Sequence, residues 1–212
     1  HDKFKIDELY KKDQKHLLDY NLLDCKLVYD IIQKSNVLDL TIQRSLLTGM
    51  SLERVSASIA SFDSIYLKKA RERKLVVPSG KFSEKSSPIT GGFVMESKPG
   101  IYDNVLVFDF KSLYPSVMRT FNIDPFSFLG KKKEKNSIEA PNKVYFRNEQ
   151  GIVPEIIEKL LKEREKAKKQ GNELATFAIK ILMNSFFGIV ASPSFRFFSM
   201  DMANAITNFV QY

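Results

Sequence analysis

The sequence predicts a helix-rich α+β fold, with helix and strand mixed along the chain. Three observations predict it. Two long segments, 6–34 and 51–74, carry no Gly or Pro and place apolar residues near a helical period. A short β-branched and aromatic run, Val105–Phe108, has the composition of a buried strand. The last third holds two helical patterns joined by Gln170-Gly171-Asn172, which reads as a helical hairpin.

The elements follow in order. In 6–34 the apolar positions are Leu9, Tyr10, Leu17, Leu18, Leu22, Leu23, Leu27, Val28, Ile31 and Ile32. A shorter apolar pattern covers 37–48, and Gly49 marks a break. Ser51 is a candidate N-cap for 51–74, with Glu53 and Arg54 in the first turn. Lys68, Lys69, Arg71, Arg73 and Lys74 sit at that helix's end, where cations suit the dipole. Residues 78–92 are rich in Pro, Ser and Gly and read as loop. Phe93–Met95 and Val105–Phe108 read as strands separated by a Pro99-Gly100 turn. Ser112–Phe121 can form a helix with Pro115 in its first turn. The polar stretch 130–150, with Lys131, Lys132 and Lys133, reads as an exposed loop. The hairpin's arms run from Pro154 to Lys169, and from Glu173 to Phe187 with a stop at Gly188. Each arm would be roughly 22–24 Å long.

Composition narrows the function classes. A hydrophobic fraction of 43% and a charged fraction of 27% exclude disorder as the main state. A single cysteine, Cys25, excludes a disulfide scaffold. The longest uncharged stretch, Ile181–Phe195, is interrupted by Asn184, Ser185, Gly188 and Pro193, so no membrane partner is expected. The 33 Lys and Arg against 25 Asp and Glu give a net +8, which favours an anionic partner. Within 131–169 there are 12 basic and 7 acidic residues, so much of the excess lies there. The 212 residues begin with His1 and show no secretory pattern at their start. They are therefore expected to be a processed chain or an internal piece, in a reducing, intracellular (cytoplasmic) compartment.

Four constellations could carry chemistry. Asp109 ends the Val105–Phe108 run, where a carboxylate can hold a hard divalent cation, although an Asp there is commonly a turn former. The amides of Ser112, Leu113 and Tyr114 open the next helix and could meet phosphate oxygens. Lys180, Asn184 and Phe187 share one helical face, offering a cation, an amide and a ring. Arg164 and Lys168 are spaced i, i+4 on a charged surface that could equally be a salt-bridge lattice with Glu163 and Glu165. Tyr20 and Asp24 are also i, i+4, which as spacing alone says little.

Together these segments resemble the family B DNA polymerases. Asp109-Phe-Lys-Ser-Leu-Tyr-Pro-Ser116 resembles motif A, and Lys180-Ile-Leu-Met-Asn-Ser-Phe-Phe-Gly188 resembles motif B, in the family's order. Gly151-Ile-Val-Pro-Glu-Ile-Ile157 and Lys162–Lys168 resemble the first fingers helix. Gly91-Gly92-Phe-Val resembles the glycine-bearing template loop between exonuclease and polymerase regions. Tyr20-Asn-Leu-Leu-Asp24 resembles the third exonuclease motif. The runs Ser97–Asp103 and Arg196-Phe-Phe198 are most similar to the bacterial DNA polymerase II branch.

The resemblance implies a partial palm with a helical-hairpin fingers subdomain. It divides the chain into the end of a 3′→5′ exonuclease domain (1–36), a helical connector (37–90) and a palm part with motif A and an inserted loop (91–150). The fingers hairpin with motif B (151–190) and a return toward the palm (191–212) complete it. It implies primer-template DNA and deoxynucleoside triphosphates as partners, in replication or repair, together with the remainder of the polymerase. The implied cofactor is a pair of magnesium ions, with manganese as the alternative. Asp109 and the Phe110 carbonyl would be metal ligands. Ser112, Leu113, Tyr114, Arg164, Lys168, Lys180 and Asn184 would meet the nucleotide, with Tyr114 as a steric gate against ribose. Phe187 and Gly188 would lie at the nascent base pair, and Tyr20 and Asp24 would serve proofreading.

The departures are as informative. Phe187 stands where the family usually has Tyr, removing a hydroxyl from the minor-groove side. No Tyr-Gly-Asp-type motif C follows motif B; Asp201 lies in Ser-Met-Asp-Met and reads as a surface residue. The first two exonuclease motifs and the thumb are not found in these residues either. The expectation is a chain that is inactive alone, with apolar surface facing neighbours it lacks. A non-catalytic DNA-binding relative and one half of a split polymerase are the alternatives.

Overall fold

The computed structural model describes residues 3–80, 91 and 95–211. They form two compact units, His1–Ile42 and Gln43–Tyr212. Helix dominates, and the described strands form a single small sheet.

The first unit holds α1 (Lys3–Lys12), α2 (Gln14–Ser35) and the start of α3 (Val37–Thr48). The helix expected over 6–34 is broken once, at Asp13. There the carboxylate turns back to accept from His16 N–H at 3.0 Å, so Asp13 caps α2 instead of continuing α1. Asn36 adopts the left-handed conformation between α2 and α3. No residue of α2 is buried, and its stripe of Leu18, Leu22, Leu23 and Leu27 lies exposed. An amphipathic stripe acquires a core only when a second apolar face meets it.

The second unit contains α4 (Ser58–Glu72), α5 (Leu113–Thr120), α6 (Ile152–Lys169), α7 (Glu173–Val190) and α8 (Met200–Gln211). Strands β1 (Phe128–Gly130), β2 (Ile138–Glu139) and β3 (Tyr145–Phe146) pair antiparallel in the order β1-β3-β2. Phe62 lies at the centre, stacked on Tyr66 and edge-on to Phe186 and Phe195. Ile156, Ile157 and Leu160 of α6, and Leu182, Met183 and Phe186 of α7, bury the facing sides of the hairpin. By length and composition alone α7 could cross a bilayer, a test that a buried core helix also passes. Its apolar side chains instead supply much of this core.

Several boundaries differ from the sequence reading, each for a physical reason. The helix expected from Ser51 begins at Ser58. The Val55 carbonyl accepts from Arg44 Nη2 and from Ser61 Oγ, both at 3.0 Å, so it is not available to a helical ladder. The helix expected to stop at Gly188 continues to Val190, because Ile189 and Val190 are buried. That burial outweighs glycine's cost of about 1 kcal/mol in a helix. The stretch 130–150 is not simply loop. Val144-Tyr145-Phe146 is β-type in composition and returns on Ile138 through a turn closed by Ala140 N–H to the Val144 carbonyl at 2.8 Å. Helix α8 was not expected; its signal is Met202, Ala203, Ala205 and Ile206 at helical spacing. Of the strand expected at Phe93–Met95, Phe93 and Val94 lie outside the described residues and Met95 has no regular structure.

Electrostatics tie α4 to α6. Glu155 bonds Lys69 at 2.9 Å and Arg73 at 2.7 Å, and Arg73 also donates to the Gln150 carbonyl at 2.8 Å. Lys69 first, and then Arg73, hold the Glu155 carboxyl below its ordinary range. A carboxylate depressed by folding adds stability above its unfolded pKa and loses it as pH falls through the folded one. Glu155→Gln should therefore cost about 1 kcal/mol near neutral pH. The gap from the unsubstituted chain should close below about pH 4 in thermal melts, and a gap that persists there would contradict the assignment.

Candidate functional site: a nucleotide-sized cleft between three helices

The site begins with the turn before α5. Ser112 takes a left-handed conformation, φ 54° and ψ 54°, and its carbonyl accepts from Ser116 N–H at 2.8 Å. Ser116 Oγ donates to the Lys111 carbonyl at 3.0 Å and closes the turn. The Ser112 side chain makes no cap bond, so its hydroxyl is available to accept from Arg164 Nη1 at 3.3 Å. Beside it Lys111 pairs with Glu165 at 2.8 Å. This second link between the turn and α6 was not anticipated; Lys111 and Glu165 both lie in recognised segments, but spacing carries no signal for a pair 54 residues apart.

Helices α6 and α7 add the cations. Lys168 lies one turn beyond Arg164 on α6, and Lys180 and Asn184 lie one turn apart on α7. A cleft of about 600 Å³ is lined by all four together with Asp109–Pro115. Among the described residues Arg164, Lys168 and Lys180 form no ion pair, and the buried Arg164 Nε has no hydrogen-bond partner. Tyr114 stacks flat on Phe187, with centroids 4.6 Å apart and planes 14° apart, and so joins α5 to α7. The expected nucleotide-contacting residues therefore converge from three helices. Gly188 follows Phe187 on an exposed part of α7, where an added Cβ would meet nothing within 4 Å.

One expectation is corrected. Val105–Phe108 is neither a strand nor buried: Val107 and Phe108 are each 88% exposed. A strand owes its rigidity to its ladder, and no described strand pairs with this run. Asp109 therefore reaches the cleft on backbone without regular structure, with Phe110 exposed beside it.

Among the described residues Asp109 is the single carboxylate lining the cleft, and no group of three metal-ligating acids, His or Cys occurs. The side-chain oxygen donors here are the Asp109 carboxylate and the Ser112 and Tyr114 hydroxyls with the Asn184 amide. That oxygen-only chemistry suits magnesium, which commonly takes one or two carboxylates and completes its shell with water and substrate phosphate. Asp109 alone could serve as one ligand of such a site.

The other expected positions are not among the residues that line the cleft. Gly91 has no regular structure, and its carbonyl accepts from Gln211 Nε2. Gly92 lies outside the described residues. Tyr20 and Asp24 sit one turn apart on α2, where a hydrogen bond with Asp24 raises the Tyr20 phenol above its ordinary value.

Known proteins resemble this chain in sequence and in fold. Over 207 aligned residues the chain is 37% identical to DNA polymerase II of Escherichia coli (strain K12), covering 96% of this chain and 26% of that protein. It is 30% identical over 207 residues to a DNA polymerase of Desulfurococcus sp. (strain Tok), covering 89% of this chain and 26% of that one. The fold resembles the family B DNA polymerase of the archaeon Pyrobaculum calidifontis, with a TM-score of 0.74 at 25% identity, over 95% of this chain and 29% of that one. The chain thus spans about a quarter of the length of these relatives. Residues 50–209, which include the whole cleft, match the sequence profile of DNA polymerase family B, and the chain belongs to that family.

Proposed function

We propose that the cleft between α5, α6 and α7 receives the triphosphate of an incoming deoxynucleotide, within a polymerase that extends a primer on a DNA template. The convergence of Arg164, Lys168, Lys180 and Asn184 on the Asp109–Tyr114 turn carries this reading. Three unpaired cations facing one cleft repel each other unless an anion of similar charge enters. A triphosphate supplies that charge, and phosphoryl transfer needs positioning and neutralisation more than covalent chemistry.

Each residue then has a part. Arg164, Lys180 and Asn184 grip the phosphates, with Lys168 as a further cation. The amides of Ser112 and Leu113 meet phosphate oxygens at the turn. Tyr114, held flat by Phe187, lies under the sugar and leaves no room for a 2′-hydroxyl. Phe187 and Gly188 present a smooth surface to the new base pair. Asp109 and the Phe110 carbonyl would hold magnesium, whose bound charge would activate the primer 3′-hydroxyl and offset the leaving pyrophosphate. Tyr20 and Asp24 are assigned to 3′→5′ proofreading, with Gly91 and Gly92 to the DNA path.

A two-metal centre needs a second carboxylate, and among the described residues that line this cleft Asp109 has none beside it. The chain by itself should bind dATP with magnesium yet fail to extend a primer. Titration of the chain should show Lys180→Ala weakening dATP about tenfold, the scale of one charge-assisted contact. Unaltered binding would refute the grip, and template-dependent synthesis by the isolated chain would refute the division of labour. In a polymerase that carries this chain, Tyr114→Ala should raise ribonucleotide incorporation relative to deoxyribonucleotide at least about tenfold. An unchanged ratio would remove the gate.

A further inference from the structure

Helix α6 is capped from elsewhere in the chain. Its N-cap residue, Gly151, provides no capping side chain. Instead Asn122 Oδ1 accepts from Gly151 N–H, and Asp124 Oδ1 accepts from Val153 N–H, both at 2.8 Å. Both side chains come from the turn after α5. Asn122 Nδ2 also donates to the Arg147 and Glu149 carbonyls at 2.6 and 2.7 Å, which fixes the segment leading into α6. Asp124 Oδ2 accepts from Phe126 N–H at 2.7 Å and from the Tyr66 hydroxyl of α4 at 3.4 Å. Asp124 is fully buried, and Asn122 is 6% exposed. Burial pushes the Asp124 carboxyl above its ordinary range, against the opposing pull of its amide donors. The fit is tight, since a Cβ on Gly151 would stand 2.5 Å from the Asp124 Cβ.

An ordinary N-cap satisfies one or two amides of its own helix. This network does that and also locks α4 and the end of α5 to the base of α6. Arg164 stands roughly 18 Å along α6 from that base. A tilt of about 6° at the base would carry its guanidinium about 2 Å, enough to lose a hydrogen bond.

We infer that Asn122 and Asp124 are positioning residues, which hold the base of α6 against the end of α5 and so set where Arg164 stands over the cleft. The inference rests on the reading of Arg164 as a triphosphate contact. Neither residue lines the cleft, so both act through α6.

Two measurements on this chain test it. One is dATP binding with magnesium. The other is the distance between spin labels at Arg119→Cys on α5 and Lys169→Cys at the tip of α6, in a Cys25→Ser background. Asn122→Gly removes three hydrogen bonds at a residue whose φ of +53° glycine accepts readily. Asp124→Asn keeps the volume and one acceptor. Both should shift or broaden the distance distribution and weaken dATP about five- to tenfold. In an Arg164→Ala background the same substitutions should weaken it less than about twofold, because the coupled contact is already gone. If Asp124→Asn does not fold, Asn122→Gly and Asn122→Asp carry the same comparison. An unchanged distance distribution overturns the inference, with or without dATP binding. So does equal weakening with and without Arg164. Unaltered dATP binding by Arg164→Ala alone would sink the triphosphate reading instead, leaving the distances to decide the positioning role.

Discussion

Asp109→Ala, introduced into a polymerase that carries this chain, should lower primer extension at least about a thousandfold while leaving primer-template affinity within about twofold. The reason is the composition of the cleft. Arg164, Lys168 and Lys180 can neutralise phosphate, but Asp109 is the one anionic oxygen donor among the lining residues. Alanine there would leave the grip on the triphosphate and take away the group that draws a divalent cation to the reacting end. A thousandfold loss corresponds to about 4 kcal/mol of transition-state stabilisation, a scale appropriate to a metal ligand and too large for a solvated turn former. Extension within tenfold of the unsubstituted enzyme would show that Asp109 is such a turn former. A parallel loss of DNA affinity would show that the substitution acts through folding.

The second large effect concerns stability. Phe62→Ala should destabilise the second unit by about 3–5 kcal/mol. Phe62 is fully buried, and its ring meets those of Tyr66, Phe186 and Phe195 at centroid distances of 5.0–5.6 Å. These neighbours come from α4, α7 and the segment after α7, so truncation opens a cavity shared by elements that cannot all collapse into it. Phe108→Ala is the control. That ring is 88% exposed, and its loss should move the denaturation midpoint by less than about 0.5 kcal/mol equivalent. Similar costs for the two substitutions would mean that the core has been misplaced. The contrast matters because composition alone ranks these two phenylalanines alike.

How far the sequence could be read depended on which physical signal each element carries. The α6–α7 hairpin was legible because Gly171 and an apolar period are local signals, and its turn does have Gly171 at φ 68°. Asn172 also caps α7 through its side chain, accepting from Ala175 N–H at 2.9 Å. The start of α4 was not legible, because a distant arginine and a serine claim the Val55 carbonyl. Val105–Phe108 misled in the opposite direction. Its composition is that of a buried strand, but burial and pairing belong to a partner strand and not to the run itself. Asn122 and Asp124 were invisible for a third reason. Each accepts from an amide 29 residues further along the chain, a separation no local pattern records.

The sequence by itself determined the helix-rich class, the hairpin and the motifs whose order marks family B, since these depend on residue type and short spacing. Tertiary structure decided what those motifs can do together. It brought Ser112 to Arg164 and Tyr114 to Phe187, and gathered the cations of α6 and α7 around one acid. It also decided which of many similar apolar residues form the core. The physical reason is common to both: charge convergence and burial are properties of groups meeting in space, set by how α5, α6 and α7 pack, and chain separation does not encode them.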